Sequence, residues 1–284
     1  MSFRLSVLGA VSLPAAIALL ERACEHDRAA EVAAEKLFGD APDAPPTVAI
    51  GAWSFGRLVG LAAVSGRHLR LLVVAPEFRR MGIGAALLAD AAKHARAVGA
   101  TSLRTGAQPG NYLAPGVDER DVNTIAWLER RGLVRVATHE NLKVELAGDM
   151  RFFPALPELP AGYRVDRGAS PALLARIATD FSAAWAFEAA RGCVHVALTD
   201  DGAPAAFALH DGNNRGLGWF GPAGTFAEHR GRGLGAALLI ECLRDLVVHG
   251  HAVAEIAWIG PRAFYEKAVG AVTGRRFVVL EQSL

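Results

Sequence analysis

Two six-residue segments of the chain combine arginines with closely spaced glycines, RRMGIG at residues 79–84 and RGRGLG at residues 230–235. Glycine lets an anion approach the backbone closely, because no Cβ stands in the way. Where such a segment opens a helix, the unpaired N–H groups and the helix dipole favour negative charge, and the arginines add to this effect. Both segments therefore predict a binding loop for a phosphate or pyrophosphate group.

The predicted binding residues extend from the strand end before each loop into the first turn of the helix after it. In the first copy they are Val73, Val74, Arg79, Arg80, Met81, Gly82, Ile83, Gly84 and Ala85, and in the second they are Thr225, Phe226, Arg230, Gly231, Arg232, Gly233, Leu234, Gly235 and Ala236. The spacing differs from that of a Walker loop, since no Gly-Lys-Ser/Thr follows. It also differs from a Rossmann fingerprint, since no acidic ribose ligand stands at the expected place.

The regions around the two loops repeat each other. Residues 74–88 and 225–239 are identical at eight of fifteen aligned positions, at an offset of 151 residues. In each copy a strand-like run precedes the loop. A helix with one apolar face, another strand, a second helix and a closing strand follow it. Because this period is that of a domain rather than of a solenoid repeat, the chain is predicted to be a duplication of one unit.

The segment between the copies, DMRFFPALPELPAG at residues 149–162, contains three prolines and no hydrophobic periodicity, which is typical of a linker. The predicted domains are therefore residues 1–148 and residues 163–284. In the second domain, residues 170–171 (Ser-Pro) are predicted to start a helix, and residues 200–202 (Asp-Asp-Gly) to form a hairpin turn.

The two loops resemble the signature motif of the GNAT superfamily of N-acetyltransferases, Arg/Gln-x-x-Gly-x-Gly/Ala, and both match it completely. The resemblance covers both halves of the chain apart from the linker. It implies an α/β (α+β) fold of two GNAT-like domains, each a mixed, mostly antiparallel sheet flanked by helices. It also implies that acetyl-CoA lies between two splayed strands with its pyrophosphate on the loop, and that acetyl passes directly to an amine.

Two closer resemblances concern the arrangement of the domains and one short sequence in the second copy. The tandem architecture is similar to that of mycothiol synthase. The sequence GPRAFYEKAVGA at residues 260–271 resembles GNAT domains attached to bacterial β-N-acetylhexosaminidases. Architecture of this kind suggests an amino sugar or an amino-sugar conjugate as the acceptor.

A candidate catalytic acid distinguishes the two copies. In GNAT enzymes, the tyrosine of a Tyr-Glu-Lys-like sequence on the last helix usually faces the CoA sulfur and protonates the leaving thiolate. The second copy has Tyr265 in this place, whereas the first has Leu128, which has no proton to give. The resemblance therefore implies that the second domain is catalytic. The family sequence closes with glycine four residues after the tyrosine, but here Gly270 comes five residues after it.

The candidate general base is Glu255, which lies in a predicted strand among apolar neighbours. A structural glutamate, a solvent-exposed one, or a water chain in place of a single base remain alternatives, with His210, His229 and Glu228 as weaker candidates. In the first copy, Tyr112 is an alternative acid within the polar segment 108–119, which can otherwise be a plain surface loop or an acceptor-binding loop.

No metal site is predicted. His249-x-His251 offers two imidazoles, but no third and fourth ligand stands at a recognisable spacing, so a histidine pair at the end of a strand is expected. The three cysteines, Cys24, Cys193 and Cys242, are odd in number and form no Cys-x-x-Cys pair, which favours a reducing, cytoplasmic location without disulfides.

The composition narrows the class of partner. The formal net charge of +1 gives no general attraction to nucleic acid, and the apolar run at residues 5–20 is too short to span a membrane. The predicted partners are acetyl-CoA and an amine acceptor, with the chain a monomer or homodimer. The alternatives are a non-catalytic acyl-CoA-binding sensor or scaffold, and an acyltransferase with a different acyl donor.

Overall fold

The protein was analysed as a computed structural model, which describes residues 2–146 and 154–284. Residues 149–153 of the predicted linker lie outside the described residues, and residues 154–160 have no regular secondary structure. The chain divides into two compact units. One comprises Met1–His139 with Arg276–Leu284, and the other comprises Glu140–Arg275.

The first unit contains a mixed sheet that is antiparallel apart from one strand pair. Its strands, in sheet order, are β1 (Arg4–Val7), β2 (Val48–Ser54), β3 (Arg57–Ser65), β4 (His68–Val74), β5 (Ser102–Thr105) and the C-terminal part of β13 (Val272–Ser283). The short strand β6 (Val117–Asp118) also pairs with β13. Only β4 and β5 are parallel among these described pairs. The helices are α1 (Leu13–Ala23), α2 (Ala33–Phe38), α3 (Ile83–Ala97) and α4 (Val122–Glu129).

The second unit repeats this arrangement. Its sheet order is β8 (Tyr163–Arg167), β9 (Cys193–Thr199), β10 (Pro204–His210), β11 (Trp219–Thr225), β12 (Val253–Ile256) and the C-terminal part of β7 (Val134–Glu145). The pair β11–β12 is parallel and the other described pairs are antiparallel. The helices are α5 (Pro171–Asp180), α6 (Ala183–Ala189), α7 (Leu234–Val248) and α8 (Arg262–Val269). The two mixed, mostly antiparallel sheets with flanking helices confirm the predicted α/β (α+β) fold.

Each unit is closed by a strand from the other half of the sequence. Glu281 of β13 pairs with Arg104 in the first unit, and Glu145 of β7 pairs with Val253 in the second. The predicted ranges instead place β7 in the first domain, residues 1–148, and β13 in the second domain, residues 163–284. The difference arises because a strand belongs to the sheet with which its backbone forms hydrogen bonds, and these bonds can join segments that lie far apart in the chain.

The helices that follow the two loops bury the faces that their periodicity predicts. In α3 the buried residues include Leu87, Leu88, Ala91, Ala92 and Ala95, and in α7 they include Leu238, Leu239, Cys242, Leu243 and Leu246. A fully buried leucine contributes about 1.5–3 kcal/mol, so these faces anchor each helix, and the loop before it, to the sheet.

Local signals in the second unit also have the predicted structure. Ser170 Oγ accepts a hydrogen bond from Leu173 N at 3.2 Å and so caps α5, and Pro171 occupies the first turn. Strands β9 and β10 form the predicted antiparallel hairpin, with Gly202 at φ 85° in its turn. Among the helices of the described ranges, none is both long and apolar enough to cross a membrane.

Candidate functional site

The two predicted anion loops have the same backbone geometry. One turn of 3-10 helix precedes each loop, Pro76–Phe78 in the first unit and Ala227–His229 in the second. Gly82 and Gly233, which stand directly before α3 and α7, have left-handed backbones with φ of 82° and 78°. Because both residues are glycines, neither has a side chain that could cap its helix with a hydrogen bond. The first N–H groups of both helices therefore face outward for an anion.

The first arginine of each loop is held in the same way. Arg79 Nε donates to the carbonyl oxygen of Val74, and Arg230 Nε donates to that of Thr225, each at 3.2 Å. These bonds tie the loop to the last residue of the preceding strand. The two guanidinium groups are thus oriented alongside the loops, where they add positive charge.

The second position of each loop is left-handed in both copies. Arg80 has φ of 60° and Gly231 has φ of 76°. A residue with a Cβ loses about 1–2 kcal/mol in this conformation, so the first copy keeps a strained arginine where the second has the unstrained residue. Strain of this kind is common in functional loops.

The parallel strands beside each loop separate after two residue pairs. The last pair is Leu69–Thr105 between β4 and β5, and Phe220–Ile256 between β11 and β12. Residues 70–74 and 221–225 continue toward the loops without a pair in the neighbouring parallel strand. Each sheet is thus open beside its loop, which is the splayed arrangement that the family resemblance implies.

The connections after the splayed strands differ between the copies. Ala107 and Trp258, at equivalent positions 151 residues apart, both have left-handed backbones, with φ of 53° and 46°. In the first unit, residues 106–121 then lead to α4, whereas in the second only residues 257–261 lead to α8. The longer connection supplies the first unit with side chains that the second lacks.

These side chains fill the first unit beside the splay. Arg70, the first residue of β4 beyond the last pair, is 4% exposed. Its guanidinium donates two hydrogen bonds to Gln108 Oε1, at 2.7 and 2.9 Å, and one each to the carbonyl oxygens of Lys36 and Gly39, both at 3.0 Å. A buried charge held this firmly occupies its space permanently.

The network continues into α2. Lys36 is fully buried, and its ammonium group donates to Glu35 Oε1 at 2.8 Å and to Asn111 Oδ1 at 3.0 Å. Asn111 Nδ2 in turn contacts carbonyl oxygens of α2 and the residues after it, including that of Asp40 at 2.9 Å. Because these groups pair with one another, they form a closed polar core rather than a pocket.

The expectation of a plain surface loop at residues 108–119 is wrong for its first part. Gln108, Asn111 and Tyr112 are 2%, 0% and 7% exposed. Arg70, the partner of Gln108, and Lys36, the partner of Asn111, lie 38 and 75 residues away in the chain. Sequence analysis missed both residues, since a lysine in a short helix and an arginine in a strand carry no local sign of burial.

The second unit is open at the corresponding place. Gly221 is the equivalent of Arg70, at the offset of 151 residues, and follows the last pair, Phe220–Ile256. Among the described residues other than its chain neighbours, a Cβ built on Gly221 would meet no atom within 4 Å. Phe220 belongs to the core beneath α7, so by alternation along the strand Gly221 faces the other side of the sheet. The second unit thus has no side chain, and open space at the Cβ position, where the side chain of Arg70 begins in the first.

Tyr265 lies in α8, on the α7 side of the splay. Its ring contacts those of Phe220 and Phe264 edge-to-face, at centroid distances of 6.2 and 5.0 Å. Burial raises the pKa of its hydroxyl to about 12, so the phenol stays protonated at neutral pH. The equivalent residue of the first unit, Leu128, is also buried but has no proton to donate.

The extra residue after Tyr265 is accommodated at the end of α8. Gly270 has a left-handed backbone (φ 63°), and its N–H and that of Ala271 donate to the carbonyl oxygens of Glu266 and Tyr265. Both α4 and α8 have eight residues, but the turn that closes on Tyr265 is one residue wider than the one that closes on Leu128, while the tyrosine keeps its place in the core. A glycine cap of this kind ends the helix without strain.

The aromatic residue before each of these positions packs on the start of the loop helix. A Cβ on Gly84 would lie 3.2 Å from Trp127, and one on Gly235 would lie 3.6 Å from Phe264. The last helix of each unit therefore contacts the first turn of the helix that carries the anion loop. This contact couples the predicted acid of the second unit to its loop.

Glu255 lies beside the last strand pair of the second unit. Ile256 points into the core with Tyr265, so Glu255 points to the opposite face of the sheet, the same face as Gly221. Asn141 Nδ2 donates to Glu255 Oε1 at 2.5 Å, while Asn141 Oδ1 accepts from Trp258 N at 2.8 Å. Asn141 thereby fixes the carboxylate next to the splay.

The comparisons with known proteins agree with this geometry. The family model of the acetyltransferase (GNAT) family matches residues 15–116. The structure is similar to a tandem GNAT protein from the clavulanic acid biosynthesis pathway, with a TM-score of 0.79, 21% identity, and coverage of 99% of this chain and 98% of that chain. It is similar to a GCN5-related N-acetyltransferase from Sphaerobacter thermophilus, with a TM-score of 0.66, 18% identity, and coverage of 99% and 95%.

A third similar structure belongs to a larger protein. It is the GCN5-related glucosamine N-acetyltransferase region of a fungal multi-domain GH3 β-N-acetylglucosaminidase, with a TM-score of 0.75 and 19% identity. The match covers 99% of this chain but only 38% of the fungal chain. No curated protein sequence matches the chain.

Residues 15–116 therefore match the acetyltransferase (GNAT) family, and the second half of the chain repeats the loop, splay and sheet topology of the first. The fold of the whole chain is similar to that of tandem GNAT proteins, as the loop sequences predict.

Proposed function

We propose that the chain is an N-acetyltransferase that moves acetyl from acetyl-CoA to a primary amine of a small molecule, with catalysis in the second unit. The observation that carries this proposal is the open position at Gly221. Gly221 faces the same side of the splayed sheet as Glu255, and the protonated Tyr265 lies on the other side. The first unit has Arg70 and Leu128 at the equivalent places.

The anion loops are proposed to bind the pyrophosphate of CoA in both units. The first N–H groups of α3 and α7 and the arginines beside them favour this charge. The pantetheine arm would then extend between the splayed strands, where residues 70–74 and 221–225 have no strand partner on that side. No metal is needed for this binding, since the loops supply both the donors and the positive charge.

Direct transfer assigns a role to each face of the second unit. The acceptor amine enters beside Gly221, its nitrogen attacks the thioester carbonyl carbon, and Glu255 takes the proton that the nitrogen loses. The tetrahedral intermediate then collapses, the carbon–sulfur bond breaks, and Tyr265 donates its proton to the CoA thiolate. The two side chains act from opposite faces, so they do not compete for space.

The first unit is proposed to bind acyl-CoA without transferring its acyl group. Its anion loop is complete, but the Arg70–Gln108–Lys36 network fills the acceptor side of its splay. This is the sensor or scaffold alternative, confined to one half of the chain. Its specific support is the closed polar core, which leaves an amine no route to the splay.

An amino sugar is the proposed acceptor class. A structural relative that matches 99% of the chain is described as a glucosamine N-acetyltransferase region. Because the identity is 19%, the assay must sample other amines as well.

The experiment is a thiol-release assay with acetyl-CoA. Glucosamine and other amino sugars, aminoglycosides, polyamines and peptides serve as acceptors, and the signal of the chain's own Cys24, Cys193 and Cys242 is subtracted with a sample that lacks acetyl-CoA. Propionyl-CoA and palmitoyl-CoA serve as alternative donors. The proposal predicts amine-dependent release of CoA from acetyl-CoA. If every amine leaves release at the rate of hydrolysis while calorimetry shows acetyl-CoA binding, the chain is an acyl-CoA-binding protein.

A further inference from the structure

A cluster of polar side chains in the second unit joins two neighbouring strands and the helix α7. His195 of β9 and His210 of β10 are 1% and 0% exposed, and Asp245 belongs to α7. Asp245 stands twelve residues after Gly233 in the chain, which places it about 16 Å along the helix from its N-terminus. None of these three residues takes part in the proposed acetyl transfer.

The duplication shows that the fold does not need polar groups at these positions. Strand registers and the offset of 151 residues make Ile50 the equivalent of His195, and Val64 the equivalent of His210. Ile50 and Val64 are 0% and 2% exposed and belong to the apolar core of the first unit. Burial of a polar group without a partner costs about 1–3 kcal/mol, so the two histidines need a specific explanation.

The hydrogen bonds of His210 leave one ring nitrogen facing an acceptor. His210 Nδ1 donates to Asp211 Oδ2 at 3.0 Å, which leaves a lone pair on Nε2 in the neutral imidazole. His210 Nε2 is buried, makes no hydrogen bond to any described residue, and lies 3.7 Å from Asp245 Oδ2. A lone pair and a carboxylate oxygen repel each other at this distance unless a positive charge lies between them.

The same carboxylate oxygen is shared by the second histidine. His195 Nε2 lies 2.8 Å from Asp245 Oδ2. The three potential ligand atoms all lie within 4.8 Å of one another. Ligands at about 2.0–2.2 Å from a tetrahedral zinc ion are roughly 3.3–3.6 Å apart, so the separations of 2.8 and 3.7 Å from Asp245 Oδ2 to the two histidines bracket that range.

The surrounding residues orient these ligands as they do in metal sites. Asp211 on His210 Nδ1 forms a carboxylate–histidine pair that fixes the ring and leaves Nε2 free to coordinate. Arg167 donates to the other oxygen, Asp245 Oδ1, at 2.7 Å, which leaves Oδ2 for the two histidines.

We propose that His195, His210 and Asp245 bind a divalent transition-metal ion, with zinc favoured by two imidazoles and one carboxylate. The ion would join β9, β10 and α7, and so fix the helix that carries the second anion loop. Its role is structural, because both histidines are buried and Asp245 lies about 16 Å along α7 from the anion loop. No short sequence motif indicates this site, since the ligands stand 15 and 35 residues apart in the chain.

The test is zinc binding by the untagged full chain after dialysis against a chelator. Competition with a chromophoric chelator should show one tightly bound zinc ion per chain, and zinc should raise the Tm. Cobalt should give the visible absorption bands of a four-coordinate site.

The matched variant is the double substitution His195→Ile with His210→Val, which copies the residues of the first unit and is therefore expected to fold. It should bind zinc more than about 100-fold more weakly and lose the Tm shift, and Asp211→Asn should weaken binding about 10–100-fold. His249→Gln serves as the control, since its ring lies 5.9 Å from that of His210 but outside the ligand set. Absence of stoichiometric zinc in the wild type, or zinc binding that survives the double substitution, would overturn the proposal and leave a proton between His210 and Asp245.

Discussion

Arg70 and Gly221 occupy the same position in the two copies, the first residue beyond the point where the parallel strands separate. The guanidinium group of Arg70 is buried and hydrogen-bonded, whereas the space beside Gly221 is empty to 4 Å. This side-chain difference is the basis of the proposal that both units bind acetyl-CoA and that only the second transfers acetyl to an acceptor.

The first prediction concerns the proton of Tyr265. Tyr265→Phe keeps the ring contacts with Phe220 and Phe264 and removes only the hydroxyl. The turnover rate should fall by roughly 10²-fold or more with little change in acetyl-CoA affinity, because the lost interaction is made mainly in the transition state. Steady-state kinetics and calorimetry measure the two quantities.

The matched control is Tyr112→Phe in the first unit. This substitution removes a hydroxyl from the alternative acid, which is buried in the closed polar core. It should leave the turnover rate at the wild-type value. A loss of activity in Tyr112→Phe together with full activity in Tyr265→Phe would move catalysis to the first unit.

The second prediction is an alkaline effect on stability. Burial raises the pKa of Tyr265 to about 12 in the folded protein, against about 10 in the unfolded chain. The folded state therefore binds more protons between these values, and the free energy of unfolding falls as pH rises above 10. At pH 11 the loss is about 1.4 kcal/mol.

Urea denaturation at pH 8 and pH 11 measures this loss. The difference in the free energy of unfolding between the two pH values should be smaller in Tyr265→Phe than in the wild type by about 1.4 kcal/mol. Equal differences in the two proteins would mean that the hydroxyl ionises as easily in the folded state as in the unfolded one.

The third prediction concerns Glu255. Glu255→Gln preserves the size of the side chain and an acceptor for Asn141, but it cannot take a proton from the amine. The value of kcat/KM should fall by roughly 10²-fold, and the acidic limb of its pH profile should disappear. Glu145→Gln, on an exposed carboxylate of β7, is the control and should change neither. An unchanged acidic limb in Glu255→Gln would favour a water chain or another residue as the base.

Much of this site is visible in the sequence because its signals are local. The arginine–glycine loops, the helix faces that follow them and the Tyr265–Leu128 difference all lie within short segments. They have the predicted positions, and the loops stand where the family resemblance implies. The roles of Tyr265 and Glu255 stay predictions.

The parts that sequence analysis missed depend on contacts between distant segments. Lys36, Arg70 and Asn111 meet only because α2, β4 and the connection before α4 pack together. The closing strands are exchanged for the same reason, since pairing energies do not follow chain order. His195 and His210 likewise become neighbours only through the register of β9 and β10.

The fourth prediction follows from that exchange. Proteolysis within residues 149–162 should yield two fragments that stay together under native conditions. The N-terminal fragment supplies residues 142–145 to the second unit, and the C-terminal fragment supplies residues 277–283 to the first. Gel filtration before and after denaturation measures this association. Separate elution of native fragments would show that each half keeps its own closing strand.

The most direct test of catalysis in the second unit compares the two anion loops by substitutions that differ only in charge. Gly82 and Gly233 both have left-handed backbones, which Asn and Asp tolerate better than most residues. The four variants are Gly82→Asn, Gly82→Asp, Gly233→Asn and Gly233→Asp, and each Asp variant is compared with its isosteric Asn control. Calorimetry counts the acetyl-CoA sites, and thiol release gives the rate.

Each Asp variant is expected to lose one of the two acetyl-CoA sites relative to its Asn control, since a carboxylate repels the pyrophosphate. Only Gly233→Asp should lose acetyl transfer, and Gly82→Asp should keep the rate of Gly82→Asn at saturating acetyl-CoA. Loss of transfer in Gly82→Asp with full activity in Gly233→Asp would contradict the assignment of catalysis to the second unit.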